Sequence, residues 1–256
     1  MISICSTPIG NLDDVSKRLL DTLKAADVIY AEDTRVTSKL LSKFNIKTQV
    51  RRMDENTIEK QANKIVKQNK NIAYCTDAGT PGVSDPGLKL VREARINNID
   101  IEVIPGPCAA ITAYVASGFT SQQFFFGGFF PRKESDRIKA LNKDCLQIYY
   151  ESPKRISSAL STIAKVLPER KIAVCRELTK IHEDVQIGLA NQIKPIEKGE
   201  IVIVIDKPSK EELKENYNKK IELCRDLDLS KLSTKDATKL LQLCGISKND
   251  AYKLTI

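Results

Sequence analysis

The chain has 256 residues, enough for one large domain or two smaller ones, and its 41 Lys and Arg against 33 Asp and Glu give a net charge of +8. This surplus favours a polyanionic partner, but it does not separate nucleic acid from acidic metabolites or an anionic membrane surface. No run approaches the roughly 18 apolar residues of a membrane span. Seven dispersed cysteines without a C-x-x-C pair and a single histidine argue against a disulfide framework or a metal cluster. We therefore expect a cytoplasmic protein without a cysteine or histidine metal cluster.

Residues 2–116 alternate between short apolar runs and amphipathic segments, which predicts strands alternating with helices. The predicted strands are Ile2–Cys5, Val28–Ala31, Thr48–Arg52, Asn71–Thr76 and Ile101–Ile104. The predicted helices are at about Asp14–Ala25, Thr34–Lys43, Glu55–Gln68, Gly87–Asn97 and Ala109–Ser117. This order indicates an α/β layer with a mainly parallel sheet, which we assign to an N-terminal domain of residues 1–118.

A second α/β domain is predicted over residues 119–206, followed by a tail of residues 207–256. The second domain's predicted strands and helices are Phe124–Phe126, Asp136–Leu141, Leu146–Tyr150, Arg155–Val166, Ile172–Cys175 and Ile201–Ile205. The tail is rich in Lys and Glu and contains two short amphipathic segments, Lys235–Leu243 and Lys248–Leu254, around Gly245. These are equally compatible with a helix-turn-helix that binds RNA and with a helical cap on the sheet.

Six polar or Gly/Pro-rich loops follow the predicted strands. In open α/β sheets, ligands bind beyond the carboxyl ends of the strands, so these loops predict a large site built by both halves. The loops are Ser6–Asn11, Glu32–Arg35, Asp77–Gly87, Pro105–Ala110, Glu151–Arg155 and Arg176–Lys180.

The glycine-rich loops do not match the common phosphate-binding motifs. Neither G-x-x-x-x-G-K-[ST] nor a G-x-G-x-x-G after the first strand is present, which argues against a P-loop or a Rossmann-type cofactor site. Small residues at Ala78–Gly82 and Cys108–Ala110 would instead let the backbone approach a flat ligand closely. Asp77 and Glu151 could receive a ligand's amino group or ribose hydroxyls, or could serve as a helix cap or a salt-bridge partner.

Taken in order, these segments resemble the tetrapyrrole methylase superfamily, and above all its branch that methylates the ribose of a cytidine in small-subunit ribosomal RNA. The joint occurrence of EDTR, DAGTPGVSDPG and RELTK in this order is specific, and the similarity covers nearly the whole chain. Cys108 departs from the pattern, since serine is more usual there. The matching segments are TPIGNLDD, DVIYAEDTR, CTDAGTPGVSDPG, PGPCAAITA, FFFGGFFPRK, YYESPKR, CRELTKIHED and KGEIVIVI.

The resemblance implies a two-domain class III methyltransferase fold, here with a small C-terminal helical extension, that holds S-adenosylmethionine between its α/β domains. It further implies a homodimer that needs no metal and that modifies 16S ribosomal RNA, within the small subunit, at a cytidine 2′-hydroxyl. We expect neither a membrane nor DNA as a partner. By motif, the donor-binding residues are Pro8, Asp77, Ala78, Gly79, Val83, Cys108, Ala109, Tyr150 and Glu151.

The chemistry of ribose methylation calls for a base near the acceptor hydroxyl. Glu32 or Asp33 is the first candidate, Glu177 the second, and Lys180 would stabilise charge. The alternative for the first pair is a helix start with Asp33 as its cap and Glu32 paired to Arg35. The residues expected to bind substrate are Arg35, Arg132, Arg155, Arg176 and Glu177.

Two other functions remain open from the sequence. The same fold could methylate a tetrapyrrole or another small acidic metabolite, which leaves a basic helical tail without a purpose. A non-catalytic RNA-binding protein is the second alternative, but the chain has no tryptophan to stack on bases.

Overall fold

A computed structural model describes residues 1–68, 70–229 and 231–255. The chain forms two compact units, Met1–Asp206 and Lys207–Ile256. The first unit contains two five-stranded sheets. None of the described helices is long and apolar enough to cross a membrane.

The first sheet is fully parallel, which confirms the α/β layer predicted from the sequence. Its strand order is β3-β2-β4-β1-β5. The central strands β1, β2 and β4 are buried at every residue, because helices cover both faces of the sheet. The elements are β1 Ile2–Cys5, α1 Lys17–Ala25, β2 Val28–Ala31, α2 Thr34–Lys43, β3 Val50–Arg52, α3 Glu55–Val66, β4 Ile72–Cys75, α4 Gly87–Ile96, β5 Ile101–Ile104 and α5 Ala109–Ser117.

The second sheet is mixed, with strand order β6-β7-β10-β8-β9. Strands β7 and β8 both run antiparallel to β10, so their carboxyl ends point the same way and their following loops share one edge. Strand β9 was not predicted, because this edge strand is half-polar (DVQIGL) and lacks a continuous apolar run. The elements are β6 Phe124–Phe129, α6 Glu134–Leu141, β7 Leu146–Glu151, α7 Ile156–Val166, β8 Lys171–Arg176, β9 Asp184–Leu189 and β10 Ile201–Ile205.

Helix α5 follows the last strand of the first sheet but packs against the second sheet. Its buried Ala110 and Ala113 lie in one apolar cluster with Ile148 of β7, Ala173 of β8 and Val202 of β10. A domain boundary at residues 118/119 stays a prediction, and this helix shares its core with the strands on the far side of that boundary.

The second unit is a small helical bundle: α8 Lys210–Arg225, α9 Thr234–Leu243 and α10 Lys248–Lys253. Helix α8 was not predicted, because its charges obscure a weak apolar stripe. The turn between α9 and α10 contains Gly245 at φ +82°. The hydroxyl of Tyr217 accepts from the Ser247 amide and donates to Asp250, which fixes the start of α10 against α8. The bundle has its own core of Cys224, Leu241, Ile246 and Ala251.

Candidate active site

A cavity of about 470 Å³ lies beyond the carboxyl ends of β1, β2, β4 and β7, and the start of α5 also borders it. Its volume suits a cofactor-sized ligand. Of the predicted donor-binding residues, the cavity is lined by Asp77, Ala78, Gly79, Val83, Cys108, Ala109, Tyr150 and Glu151. Pro8 is buried and does not line it, but the next residue, Ile9, does.

The loop after β4 is held in place by a two-residue bridge to the loop after β1. The Thr7 amide donates to the Gly79 carbonyl at 2.9 Å, and the Gly79 amide donates back to Thr7 at 3.1 Å. Gly79 has φ +81°, which L-residues with a Cβ rarely adopt, and a Cβ would lie 3.3 Å from Ile9. The turn therefore requires glycine and presents backbone to the cavity.

The start of α5 forms another wall of the cavity. Its N-cap, Cys108, makes no side-chain capping bond, and Cys108 and Ala109 line the cavity. Burial raises the pKa of the Tyr150 hydroxyl, and contact with the Cys108 thiol adds to this, although a hydrogen bond from the Ala110 amide opposes it. Tyr150 thus remains a neutral hydroxyl that connects β7 to the first turn of α5.

The charged side chains among the described residues that line the cavity are all acidic, although the chain as a whole is basic. Among the described residues that line it there is no Lys, Arg or His, whereas the carboxyl residues are Glu32, Asp77, Asp85, Glu151 and Glu200. Burial raises the pKa of Glu32, and repulsion from Asp77 adds to this shift. Burial likewise raises the pKa of Asp77. Because Glu151 and Glu200 pair with Arg155 and Lys180, it is Glu32, Asp77 and Asp85 that make the cavity favour a ligand with positive charge.

Asp33 serves as the N-cap of α2. Its carboxylate accepts from the Arg35 amide at 2.8 Å and from Arg35 Nε at 3.0 Å. These bonds, first that from the Arg35 side chain, hold the pKa of Asp33 well below its usual range. Of the three candidate bases, Glu32, Asp33 and Glu177, only Glu32 lines the cavity. The capping alternative is correct for Asp33, but its proposed Glu32–Arg35 pair is wrong, because Arg35 pairs with Asp33.

Glu151 is a buried salt-bridge partner. Its side chain has no exposed surface and accepts from Arg155 Nε at 2.8 Å, while Arg137 Nη2 lies 3.8 Å from the other carboxylate oxygen. Arg137 is itself buried and donates to the Pro131 carbonyl and to Ser158. The salt-bridge alternative is therefore correct for Glu151, while its contact with a ligand stays a prediction, because Oε2 has no hydrogen-bond partner among the described residues. Arg155, predicted to hold substrate phosphate, instead neutralises this carboxylate.

Glu177 and Lys180 lie in the loop after β8, and neither lines the cavity. Lys180 Nζ donates to Glu177 at 2.9 Å and to Glu200 at 2.7 Å, and the Glu200 amide also donates to Glu177. The bond from the Glu200 amide, followed by the one from Lys180, lowers the pKa of Glu177, which makes it a weak base. Burial would lower the pKa of Lys180, but its bonds to Glu200 and Glu177 outweigh this and raise it.

The same loop touches the first half of the chain. The Asn11 amide donates to Thr179 Oγ1 at 3.0 Å. A Cβ at Gly10 would lie 2.8 Å from the Leu178 carbonyl, so only glycine permits this approach. Leu178 itself lines the cavity.

The remaining predicted substrate residues lie outside the cavity. Arg132 is exposed, and Arg176 is partly buried. Several lining residues were not predicted, namely Ile9, Phe129, Leu178, Gly199 and Glu200. Ile9, Phe129 and Leu178 lie in segments that the sequence singled out, but nothing marked them as cavity-facing. Gly199 and Glu200 precede β10, whose amino end reaches this edge because it is antiparallel to β7 and β8.

Residues 1–194 match the family model of tetrapyrrole (corrin/porphyrin) methylases. A ribosomal RNA small subunit methyltransferase I from Thermotoga maritima is 38% identical over 79% of this chain and 96% of its own length. A protein of the same name from Haemophilus influenzae is 36% identical over 99% of this chain and 95% of its own. A crystal structure of diphthine synthase has the same fold, with TM-score 0.65 and 15% identity over 84% of this chain and 94% of that one.

The fold and the cavity thus define a methyltransferase with two α/β layers. The chain belongs to the tetrapyrrole methylase family, and the resemblance seen in its sequence motifs is confirmed. Its methyl donor is S-adenosylmethionine.

The residues present fit this donor. Its sulfonium and ammonium charges suit an acidic cavity, and its flat adenine suits walls made of Ala78, Gly79 and Ala109. The buried hydroxyl of Thr76, which also lines the cavity, has no hydrogen-bond partner among the described residues and offers a further contact.

Proposed function

We propose that this protein methylates 16S ribosomal RNA of the small ribosomal subunit, and that the acceptor is the 2′-hydroxyl of a cytidine ribose. The observation that carries the proposal is the extent of the similarity: a relative named for small-subunit ribosomal RNA methylation aligns with 99% of this chain, the tail included. The net charge of +8 supports a polyanionic substrate.

In the proposed reaction Glu32 accepts the proton of the ribose hydroxyl. S-adenosylmethionine supplies, when bound, a methyl group that its sulfonium has already activated. Asp77, Ala78, Gly79, Cys108 and Ala109 would hold it, largely through backbone. The protein then has to align the hydroxyl, exclude water and remove one proton. Glu32 is suited to the last step because it lines the cavity and burial raises its pKa.

The two alternatives fit less well. A tetrapyrrole or another acidic metabolite carries carboxylates, which the acidic residues around the cavity would repel. A purely RNA-binding role leaves the cavity without a purpose.

The partner of this chain is, we propose, a second copy of itself. Exposed apolar side chains on α5 and β6 support a dimer: Val115 is 71% exposed, Ile111 45% and Phe124 40%. The ring centroids of Tyr114 and Phe124 lie 5.3 Å apart, so the two elements adjoin. Sedimentation equilibrium should give twice the chain mass, and Val115→Glu should yield monomers.

The test of the function is methyl transfer to small subunits from a strain that lacks this protein. Labelled S-adenosylmethionine should transfer about one methyl group per subunit, and nucleoside mass spectrometry should identify 2′-O-methylcytidine. A base-methylated nucleoside would contradict the 2′-O proposal alone. No transfer to subunits or to extracted RNA, together with transfer to a tetrapyrrole, would overturn the RNA substrate.

A further inference from the structure

Two arginines near the cavity each pair with an aspartate that caps a helix. Arg35 follows β2 and pairs with Asp33, the N-cap of α2. Arg52 ends β3 and pairs with Asp54, the N-cap of α3, with Nη2 to Oδ2 at 2.7 Å. Both guanidinium side chains are nevertheless highly exposed, Arg35 by 86% and Arg52 by 70%. Each aspartate thus holds a guanidinium in place and leaves most of it facing solvent.

Sheet topology places Arg52 next to the side of the cavity that contains Glu32. The strand order β3-β2-β4 puts Arg52 directly opposite Ala31, the residue before Glu32. Adjacent strands are about 4.8 Å apart, so Arg52 is one strand beyond Glu32 on the side away from Asp77. Neither Arg35 nor Arg52 lines the cavity, but Arg35 is three residues after Glu32, and Arg52 lies opposite the residue before it.

The charges of both arginines lower the pKa of the same aspartate. The pKa of Asp33 is lowered first by its bonds to Arg35 and to a smaller extent by the charge of Arg52. A guanidinium has five N–H donors in a fixed fork. Arg35 uses Nε and Nη2 on Asp33, and Arg52 contacts Asp54 through Nη2, so each guanidinium retains donors for an anion.

We propose that Arg52 and Arg35 form a clamp for a backbone phosphate of the RNA next to the nucleotide whose ribose enters the cavity. The inference rests on the proposed RNA substrate and adds Arg52, which no sequence motif indicated. Phosphate contacts fix the register of a nucleic acid on a protein, and a pre-oriented arginine loses little entropy on binding. The clamp positions the RNA from outside the acidic cavity, and an anion is tolerated at that outer position.

The chain offers a matched control in Arg51. This residue is also exposed and lies in the same strand, but successive side chains of a strand point to opposite faces. Its partner is Gln49, and it pairs in register with Tyr30 rather than with Ala31. Arg51→Gln therefore removes the same charge from the other face of the sheet.

Arg52→Gln should weaken binding of extracted 16S RNA about tenfold, which corresponds to one charge-assisted hydrogen bond. The slope of log affinity against log salt should become shallower by about 0.7–0.9, which corresponds to one phosphate. The KM for small subunits should rise while kcat at saturation and donor affinity stay unchanged. Arg51→Gln should leave all five quantities at wild-type values, and Arg52→Lys should restore the salt slope but only part of the affinity.

Equal losses in Arg51→Gln and Arg52→Gln would overturn the clamp in favour of general surface charge. Wild-type values in Arg52→Gln would overturn it as well. Both results leave the proposed function intact, because the wild-type protein still methylates RNA in these experiments. Failure of the wild-type protein to bind or methylate RNA would overturn the clamp and the proposed function together.

Discussion

The backbone amide of Asp33 donates a hydrogen bond to Oδ1 of Asp77 over 2.9 Å, which ties the loop after β2 to the loop after β4. Glu32, the preceding residue, is thereby held in the wall that also contains Asp77. The adjacent carboxylate of Asp33 is taken up by Arg35 instead. Two neighbouring acidic residues thus have different roles, which leads to the first prediction.

Glu32→Gln should abolish most methyl transfer, whereas Asp33→Asn should retain it. A lost general base costs about 10²–10⁴ in rate, and asparagine is as good an N-cap as aspartate. Single-turnover transfer to small subunits measures the difference, with calorimetry to show that both variants bind S-adenosylmethionine. If Asp33→Asn is the slower variant, the base has been assigned to the wrong residue.

The rate should depend on the ionisation of Glu32. Because burial raises its pKa, the single-turnover rate should rise with pH through an inflection above the ordinary value of 4.5. Glu32→Gln should remove that inflection. A folded-state pKa above the unfolded one also means that ionised Glu32 destabilises the fold at neutral pH. The variant should therefore unfold at the same or a higher temperature at pH 7, so that a lower melting temperature would attribute its inactivity to misfolding.

Gly79→Ala should impair donor binding as well as stability. A left-handed backbone costs a residue with a Cβ about 1–2 kcal/mol, and here the added atom also presses on Ile9 at 3.3 Å. Gly118→Ala is the matched control, since it has φ +65° with no atom within 4 Å of the added Cβ. Both variants should lose stability in urea, Gly79→Ala at least as much as Gly118→Ala, but only Gly79→Ala should lose affinity for S-adenosylmethionine. Equal donor affinities would show that the turn does not shape the site.

Ala109→Leu should block the donor site while the fold persists. Ala109 lines the cavity at the first residue of α5, where a larger side chain projects into ligand space. Cys108→Ser keeps a small side chain at the neighbouring position and should bind S-adenosylmethionine normally. Calorimetry compares the two, and circular dichroism monitors folding. Normal binding by Ala109→Leu would exclude this end of the cavity as the donor site.

Removal of residues 207–256 should weaken RNA binding and flatten its salt dependence, with donor affinity unchanged. The residues form a separate compact unit with its own apolar core, and the cavity is lined by residues of the first unit alone. Filter binding over a salt series gives the slope, which reports the number of phosphate contacts. If donor affinity and thermal stability decline in parallel with RNA binding, the tail is a structural cap.

The first sheet could be predicted from the hydrophobic pattern of the sequence, since its strands are short apolar runs between amphipathic helices. The half-polar edge strand β9 and the charged helix α8 lacked that signal and were missed. The partners of a charged side chain were less predictable than its place in the fold. Glu151 lies at the expected loop, but no local pattern indicates that Arg137, fourteen residues earlier, and Arg155 would enclose it. Similarly, the sequence could not show whether Glu32 or Asp33 is the better candidate base, because that depends on which of the two carboxylates Arg35 pairs with.

The position of α5 determines how a ligand can enter. Its first turn carries Cys108 and Ala109, and its body is packed into the second sheet. Those two residues and Tyr150 of β7 must therefore move as one body. Any opening of the cavity has to separate this body from the loop after β4, and the hydrogen bond from Asn11 to Thr179 lies across the same gap. The chain crosses the gap at Pro105-Gly106-Pro107, where two prolines restrict rotation and Gly106 packs too closely on Ser6 to leave room for a Cβ, so the crossing stays attached to the loop after β1.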